Sequence, residues 1–343
     1  MNNLILFHAD SRPSAGMGHV MRCMALAGEL NRPAGFLGQP NETVQRLVKQ
    51  AGFLFFPLQD EKGLYDQVIN LSPAAVVVDS YGINGEELEP VKREIPLLIV
   101  IDDLNDRYLP ADLLINGNIT ACSLGYIPDK KLLLGPEYVL LREEFRNCLP
   151  KKIVERARKL MVTIGGSDPL DLMPLVLNAL SGLNLHIKAV IGPHFKSRER
   201  LESIAKRQKS NGSLELVENS DMANLMRWAD LAVSAGGSTL YELCATGTPT
   251  IVLAVADNQV PAARALGEQE CVWYLGFYDD KKEGSPKNLI QAVKTLARDY
   301  FRRAEMSRRG RVLVDGLGTK RCAAVIREIS YVSREDDGTV PMV

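Results

Sequence analysis

The chain has 343 residues, 46% hydrophobic and 24% charged, with a formal net charge of −1. That length exceeds one ordinary core and predicts two domains, while the near-zero charge lacks the electrostatic footprint of a nucleic-acid binder or a membrane-surface protein. No apolar run reaches the roughly 20 residues of a membrane-spanning helix, and the N-terminus lacks the basic and apolar regions of a signal peptide, so a cytoplasmic location without membrane insertion is expected.

Short apolar runs alternate with helical patterns from end to end. Residues 4–7 predict a strand, and Gly18–Leu30 the helix after it, with Val20, Met24, Ala27 and Leu30 at helical spacing. Residues 34–37, 54–58, 74–78, 97–101, 113–115 and 132–134 complete a first strand series. The runs 74–78 and 97–101 are continuous in Val, Ile and Leu, as central parallel strands covered on both faces require. Each is followed by aspartate: Asp79, then Asp102 and Asp103. Residues 141–159 carry many charges and Pro150 and read as a helix or linker between domains. A second series follows, with strands expected at 160–164, 186–191, 214–217, 231–234, 250–255 and 272–274. Residues 287–330 read as helical with breaks at Gly310 and Gly316 to Gly318, and 335–343 as a loose tail. The expected domains are 1–148 and 149–330, with 331–343 outside them. Two such arrays predict an α/β protein of two Rossmann-like domains.

Six cysteines at 23, 122, 148, 244, 271 and 322 form no Cys-x-x-Cys clip, and the four histidines are scattered. No metal site is expected, and the thiols read as free and buried.

Three glycine-rich turns join a strand to a helix, the place where open α/β sheets bind ligands. The first is Gly16-Met17-Gly18-His19, the second Gly165-Gly166-Ser167-Asp168-Pro169, and the third Ser234-Ala235-Gly236-Gly237-Ser238-Thr239 running into Leu240-Tyr241-Glu242. Glycines let backbone approach a ligand, and helix N-terminal amides attract phosphate. In the second turn, Pro169 suits a helix start, with Ser167 or Asp168 as its cap. None has the Gly-Lys-Ser/Thr of a Walker loop, and Met21 stands where a dinucleotide fingerprint needs its third glycine. The third turn suits a diphosphate, with Glu242 one turn on, in reach of ribose hydroxyls.

His19 falls in the first helical turn, where a helix N-terminus disfavours the imidazolium and favours a neutral imidazole able to act as a base. A structural hydrogen bond at the helix start is the other reading. Asp10, Asp79, Asp102 and Asp103 at strand ends either orient a sugar or a water, or cap turns. Asn258 and Gln259 either read sugar hydroxyls or start a helix.

Several segments resemble the UDP-2,4-diacetamido-2,4,6-trideoxy-β-L-altropyranose hydrolases of pseudaminic acid biosynthesis, themselves similar to the GT-B glycosyltransferases that make peptidoglycan lipid II. The segments are Asp10 with Gly16-Met17-Gly18-His19-Val20-Met21-Arg22-Cys23, then Val100-Ile101-Asp102-Asp103-Leu104, Asp112-Leu113-Leu114-Ile115-Asn116-Gly117-Asn118, and Leu134-Gly135-Pro136-Glu137-Tyr138-Val139-Leu140-Leu141-Arg142-Glu143-Glu144-Phe145. Ile164-Gly165-Gly166-Ser167-Asp168-Pro169 and residues 234–242 are shared more widely with GT-B enzymes. The resemblance implies two domains of GT-B type facing each other across a cleft, with a UDP-sugar partner and no cofactor. It implies that water attacks the anomeric carbon and UDP leaves with inversion, with His19 and Asp10 catalytic. Gly16, Gly18, Arg12, Gly166, Ser167, Gly236, Gly237, Ser238, Thr239, Glu242, Asn258 and Gln259 are the expected substrate-binding residues. Nucleotide is expected on the C-terminal domain and sugar on the N-terminal one. An inverting glycosyltransferase, with an acceptor in place of water, is the alternative enzyme, and a nucleotide-sugar binding protein without turnover is a third reading. Family members begin the first motif with Arg-x-Asp-x-Ser. Here His8 holds the Arg position, Arg12 the Ser position and Ala15 that of an Ile before the glycines, so the sugar is left open.

Overall fold

The computed structural model describes residues 3–12, 17–39, 41–58, 63–166, 168, 170–192, 195–207, 213–218, 221–278 and 284–335, with side chains to 330. The chain divides into two compact units: Met1–Glu143 with Leu317–Val343, and Glu144–Gly316.

The first unit carries strands β1 (Ile5–Ala9), β2 (Ala34–Gly38), β3 (Leu54–Pro57), β4 (Ala75–Asp79), β5 (Leu98–Ile101), β6 (Leu113–Asn116) and β7 (Lys131–Leu134). Helices α1 (Gly18–Leu30), α2 (Glu42–Gln50), α3 (Gly63–Leu71) and α4 (Gly85–Glu94) lie between its early strands. The sheet is parallel throughout, in the order β3-β2-β1-β4-β5-β6-β7. Successive side chains of a strand point to opposite faces. On β1, Ile5 and Phe7 join a core with Val20, Cys23 and Leu26 of α1 and Val44 of α2. Leu6, between them, packs with Leu64 and Val68 of α3 and Leu88 of α4. Both faces of the sheet are therefore buried, which is why its strands read as unbroken apolar runs.

The second unit repeats the design with β8 (Lys159–Thr163), β9 (His186–Val190), β10 (Ser213–Val217), β11 (Leu231–Ala235), β12 (Thr250–Ala254) and β13 (Trp273–Phe277). Its helices are α5 (Leu172–Leu180), α6 (Arg198–Arg207), α7 (Met222–Trp228), α8 (Thr239–Thr246), α9 (Val260–Glu268), α10 (Pro286–Arg298) and α11 (Tyr300–Leu313). The parallel order is β10-β9-β8-β11-β12-β13. Each sheet changes winding direction between its first strand and its fourth, β1 and β4 in one, β8 and β11 in the other, and such a switch point opens a crevice at the carboxyl ends.

Every strand expected from the sequence is present, with ends moved by up to three residues. Three other expectations are narrowed or change. Of the two readings of residues 141–159, a helix or a linker, no α-helix forms; one 3₁₀ turn, Glu143–Phe145, is followed by irregular chain. Arg303, fully buried, holds that chain by donating to the carbonyls of Val154 and Glu155, and to that of Leu296. Lys151 donates to the carbonyls of Met226 and Arg227 at the end of α7, and burial pushes its amine down to about 8. Gly310 does not break a helix: it lies inside α11, where an added Cβ would come to 3.2 Å from Cα of Cys244 in α8.

The third change concerns α12 (Gly318–Glu335), expected in the C-terminal domain but placed in the first unit. Its Cys322, Ala323 and Ile326 join the core beside α1, and Thr319 donates to the carbonyl of Leu141. Nearness in sequence suggested one domain, and an apolar face that fits α1 decides for the other. The tail 336–343 lies outside the described residues. Among the described residues no helix is long and apolar enough to cross a membrane.

Candidate active site

The switch point of the first unit is filled by ionisable side chains. His19, second residue of α1, is 6% exposed, and its Nδ1 lies 2.6 Å from Oδ1 of Asp79 at the end of β4. A carboxylate only accepts, so Nδ1 carries a proton, and in the neutral ring the lone pair is then on Nε2. Arg22 stands three residues on, on the same helical face. It donates through Nε and Nη2 to Asp79, each at 2.6 Å, and through Nη1 and Nη2 to Asp103 at 3.0 and 2.9 Å. Arg22 Nη2 also comes to 3.3 Å from His19 Nδ1, but the shorter carboxylate contact takes the Nδ1 proton.

Tyr81 donates to Asp103 at 2.7 Å, Asn118 Nδ2 donates to the same carboxylate at 2.9 Å, and the Tyr81 ring meets His19 edge-on at 4.7 Å between centroids. Three strand ends, those of β4, β5 and β6, thus meet the first turn of α1. Burial alone would push the Asp79 carboxyl up, but the charge of Arg22 and the hydrogen bonds from Arg22 and His19 outweigh it and hold the group well below the usual carboxylate range. The same contest lowers Asp103, again through Arg22, and leaves Arg22 more firmly protonated than an ordinary guanidinium. Tyr81 is pushed up by burial and by the charge of Asp103, so it remains a donor. The Cys23 thiol, 3.5 Å from Asp79, is raised by burial and by that carboxylate, which disfavours a nucleophilic thiolate.

Asp10 is buried just beyond β1, and its backbone N–H bonds the carbonyl of Asp79. Its carboxylate accepts from Arg12 through the backbone N–H at 3.1 Å, Nε at 2.9 Å and Nη2. Burial raises Asp10 and Arg12 lowers it further, for a net fall. No described hydrogen bond joins Asp10 to His19. His8, Asp10, Ser11, Arg12, Gly38 and Leu58 are among the residues lining a small cavity at the carboxyl ends of β1 and β2. Gly18 opens α1, whereas Gly16 lies outside the described residues.

In the second unit, Gly165 takes a left-handed φ of 91° as the chain leaves β8. The carbonyl of Gly166 is met so closely by Gly192 that a Cβ there would lie 2.1 Å away. Asp168 accepts from the amides of Leu172 and Met173 and so serves the start of α5; Ser167 lies outside the described residues. After β11 the amide of Gly236 is already used, donating to Oε1 of Gln259 at 3.1 Å. Gly237 is open, with nothing within 4 Å of an added Cβ. Ser238 caps α8 without a side-chain cap bond, and Thr239 is its first residue. The leading amides of a helix have no intrahelical partner and sit at the positive end of its dipole, so this turn can take an anion. Glu242 is partly buried one turn on, Asn258 is exposed, and Gln259 ends a 3₁₀ turn, Asp257–Gln259.

The first-unit network was only partly visible in sequence. His19 was marked by its helix start, and Asp79 and Asp103 by their strand ends. Arg22 and Tyr81 were missed as site residues, although the spacing of Arg22 from His19 was a usable signal.

Residues 160–315 match the model of the glycosyltransferase family 28 C-terminal domain. The chain is similar in structure to Acinetobacter baumannii MurG, with a TM-score of 0.69 and 14% identity, covering 96% of this chain and 100% of that one. The fold is that of the GT-B glycosyltransferases. Among curated relatives of this GT-B chain, an uncharacterised protein of Methanocaldococcus jannaschii is 28% identical over 263 residues, 71% of this chain; the match spans about half that protein's length, 54%. Spore coat polysaccharide biosynthesis protein SpsG of Bacillus subtilis is 26% identical over 331 residues, 94% of this chain and 97% of its own. UDP-2,4-diacetamido-2,4,6-trideoxy-β-L-altropyranose hydrolase of Campylobacter jejuni is 24% identical over 274 residues, 77% of this chain and 96% of its own.

Proposed function

We propose that this GT-B protein hydrolyses a UDP-linked amino sugar, of the kind named for its Campylobacter jejuni relative, with inversion at the anomeric carbon. The observation that carries the reading is the His19–Asp79 contact, which commits Nδ1 and leaves Nε2 as an acceptor at the switch point of the first unit. Nε2 takes a proton from water as the water oxygen bonds the anomeric carbon. The bond from that carbon to the β-phosphate oxygen breaks, and UDP leaves with the electron pair. The imidazolium so formed is stabilised by the Asp79 carboxylate. The amides of Gly237 and Ser238 and the dipole of α8 receive the diphosphate, whose growing charge they offset, and Glu242 meets the ribose. Asp10, held by Arg12, and the cavity beside it meet the sugar.

An inverting glycosyltransferase is the second reading, favoured by the family 28 match over residues 160–315. It uses the same base on an acceptor hydroxyl. Purified protein incubated with a panel of UDP-amino sugars and no acceptor separates the two. UDP release with stoichiometric free sugar is the expected result, and release only after an acceptor is added overturns hydrolysis. His19→Asn is expected to lower turnover by about 10² to 10⁴-fold while UDP binds with unchanged affinity; wild-type turnover in that variant removes His19 from the base role.

A further inference from the structure

In the second unit, β11 and β12 run side by side with Ala235 opposite Leu253, and the ladder ends there. The first amides beyond the two strands, those of Gly236 and Val255, are both answered by one atom. Oε1 of Gln259 accepts from Gly236 at 3.1 Å and from Val255 at 3.0 Å. Gln259 stands just ahead of α9, so a single side chain fastens the turn after β11 to the segment after β12. The fit is close on the other side as well. A Cβ on Gly236 would come to 2.8 Å from Cβ of Gln259 and 3.3 Å from its carbonyl oxygen and Oε1, so glycine is needed for the approach.

We infer that Gln259 is a positioning residue for the diphosphate turn, which fixes the direction of the Gly237 and Ser238 amides without contributing its oxygen to a ligand. The inference rests on the reading of residues 236–239 as the diphosphate site. Both lone pairs of Oε1 are spent on backbone, because a carbonyl oxygen offers two. The Gly236 amide, turned to Gln259, is withdrawn from the ligand, and the cradle is narrowed to the amides that follow it. A carboxylate at position 259 preserves both acceptor contacts, and a leucine of similar size abolishes them.

The test uses the full chain and two probes, UDP and uridine, because only UDP reaches a diphosphate turn. Amide exchange by NMR on the ligand-free protein reads the latch directly. In Gln259→Leu the Gly236 and Val255 amides are expected to exchange at least tenfold faster than wild type, and in Gln259→Glu to stay protected. The Kd of Gln259→Leu for UDP is expected to rise about tenfold, with uridine affinity unchanged, which a general loss of structure would not produce. Unchanged protection in Gln259→Leu, lost protection in Gln259→Glu, or equal weakening of UDP and uridine overturns the inference. Wild-type protein that fails to bind UDP overturns the diphosphate reading of the turn, and with it the positioning role.

Discussion

At the scale of single residues, the site depends on a contest between burial and charge at Asp79. An isolated carboxylate in this position would be costly, yet the group is held ionised by the two-pronged contact with Arg22 and by His19. Asp79→Asn leaves the Arg22 charge short of a partner and offers His19 an amide that no longer fixes which nitrogen carries the proton. Turnover is expected to fall about 10³-fold, in the range of a misplaced general base, and stability at neutral pH by about 3 kcal/mol, as when a buried pair is broken. The pH dependence has a defined sign. The folded-state value lies below the ordinary 3.8, so the unfolded chain binds more protons through that window. The advantage of wild type over Asp79→Asn in urea midpoints is full above that value and shrinks as pH falls below it. An advantage that does not change with pH there contradicts the assignment. The pair explains what a sequence can and cannot disclose: His19 advertises itself by its helix start, but its partner is 60 residues away, and only the β1-β4 pairing brings the two together.

At the scale of elements, legibility follows burial. Strands with both faces covered, such as β4 and β11, read directly as apolar runs, and the glycine-rich turns after β1, β8 and β11 fall at the two switch points as strand order demands. The stretch between the units was harder, because its conformation is set by distant donors and not by its own pattern. Arg303 supplies the chief of these, and among the described residues its Nε has no hydrogen-bond partner. That leaves Nη1 and Nη2 to hold three carbonyls. Arg303→Ala loses those bonds and opens a cavity, and a cost of about 3 kcal/mol is expected in chemical denaturation. Arg303→Met keeps the apolar stem and removes a buried charge, so its cost is expected to be smaller. Equal losses for the two variants would show that packing by the stem counts for nothing here.

At the scale of the whole molecule, the chain leaves the first unit near Glu143 and re-enters it at Leu317. The first unit is thus discontinuous in sequence, and its core element α12 follows the whole of the second unit along the chain. The apolar face of α12, with Cys322 and Ala323 fully buried and Ile326 nearly so, lies against α1, the helix that carries His19 and Arg22. Burying one isoleucine side chain is worth about 1.5–3 kcal/mol, so the face as a whole contributes several kcal/mol against a total domain stability of about 5–15 kcal/mol. A chain ending at Gly316 is therefore expected to lose hydrogen-exchange protection in α1, β1 and β4 while β8 and β11 keep theirs, and to lose turnover without losing UDP affinity. The contrast arises because the proposed diphosphate turn belongs to the unit that the cut leaves whole, whereas the proposed base, His19, and Asp79 belong to the unit that is opened. Full protection of β1 in the shortened chain would mean that the first unit closes its core without α12.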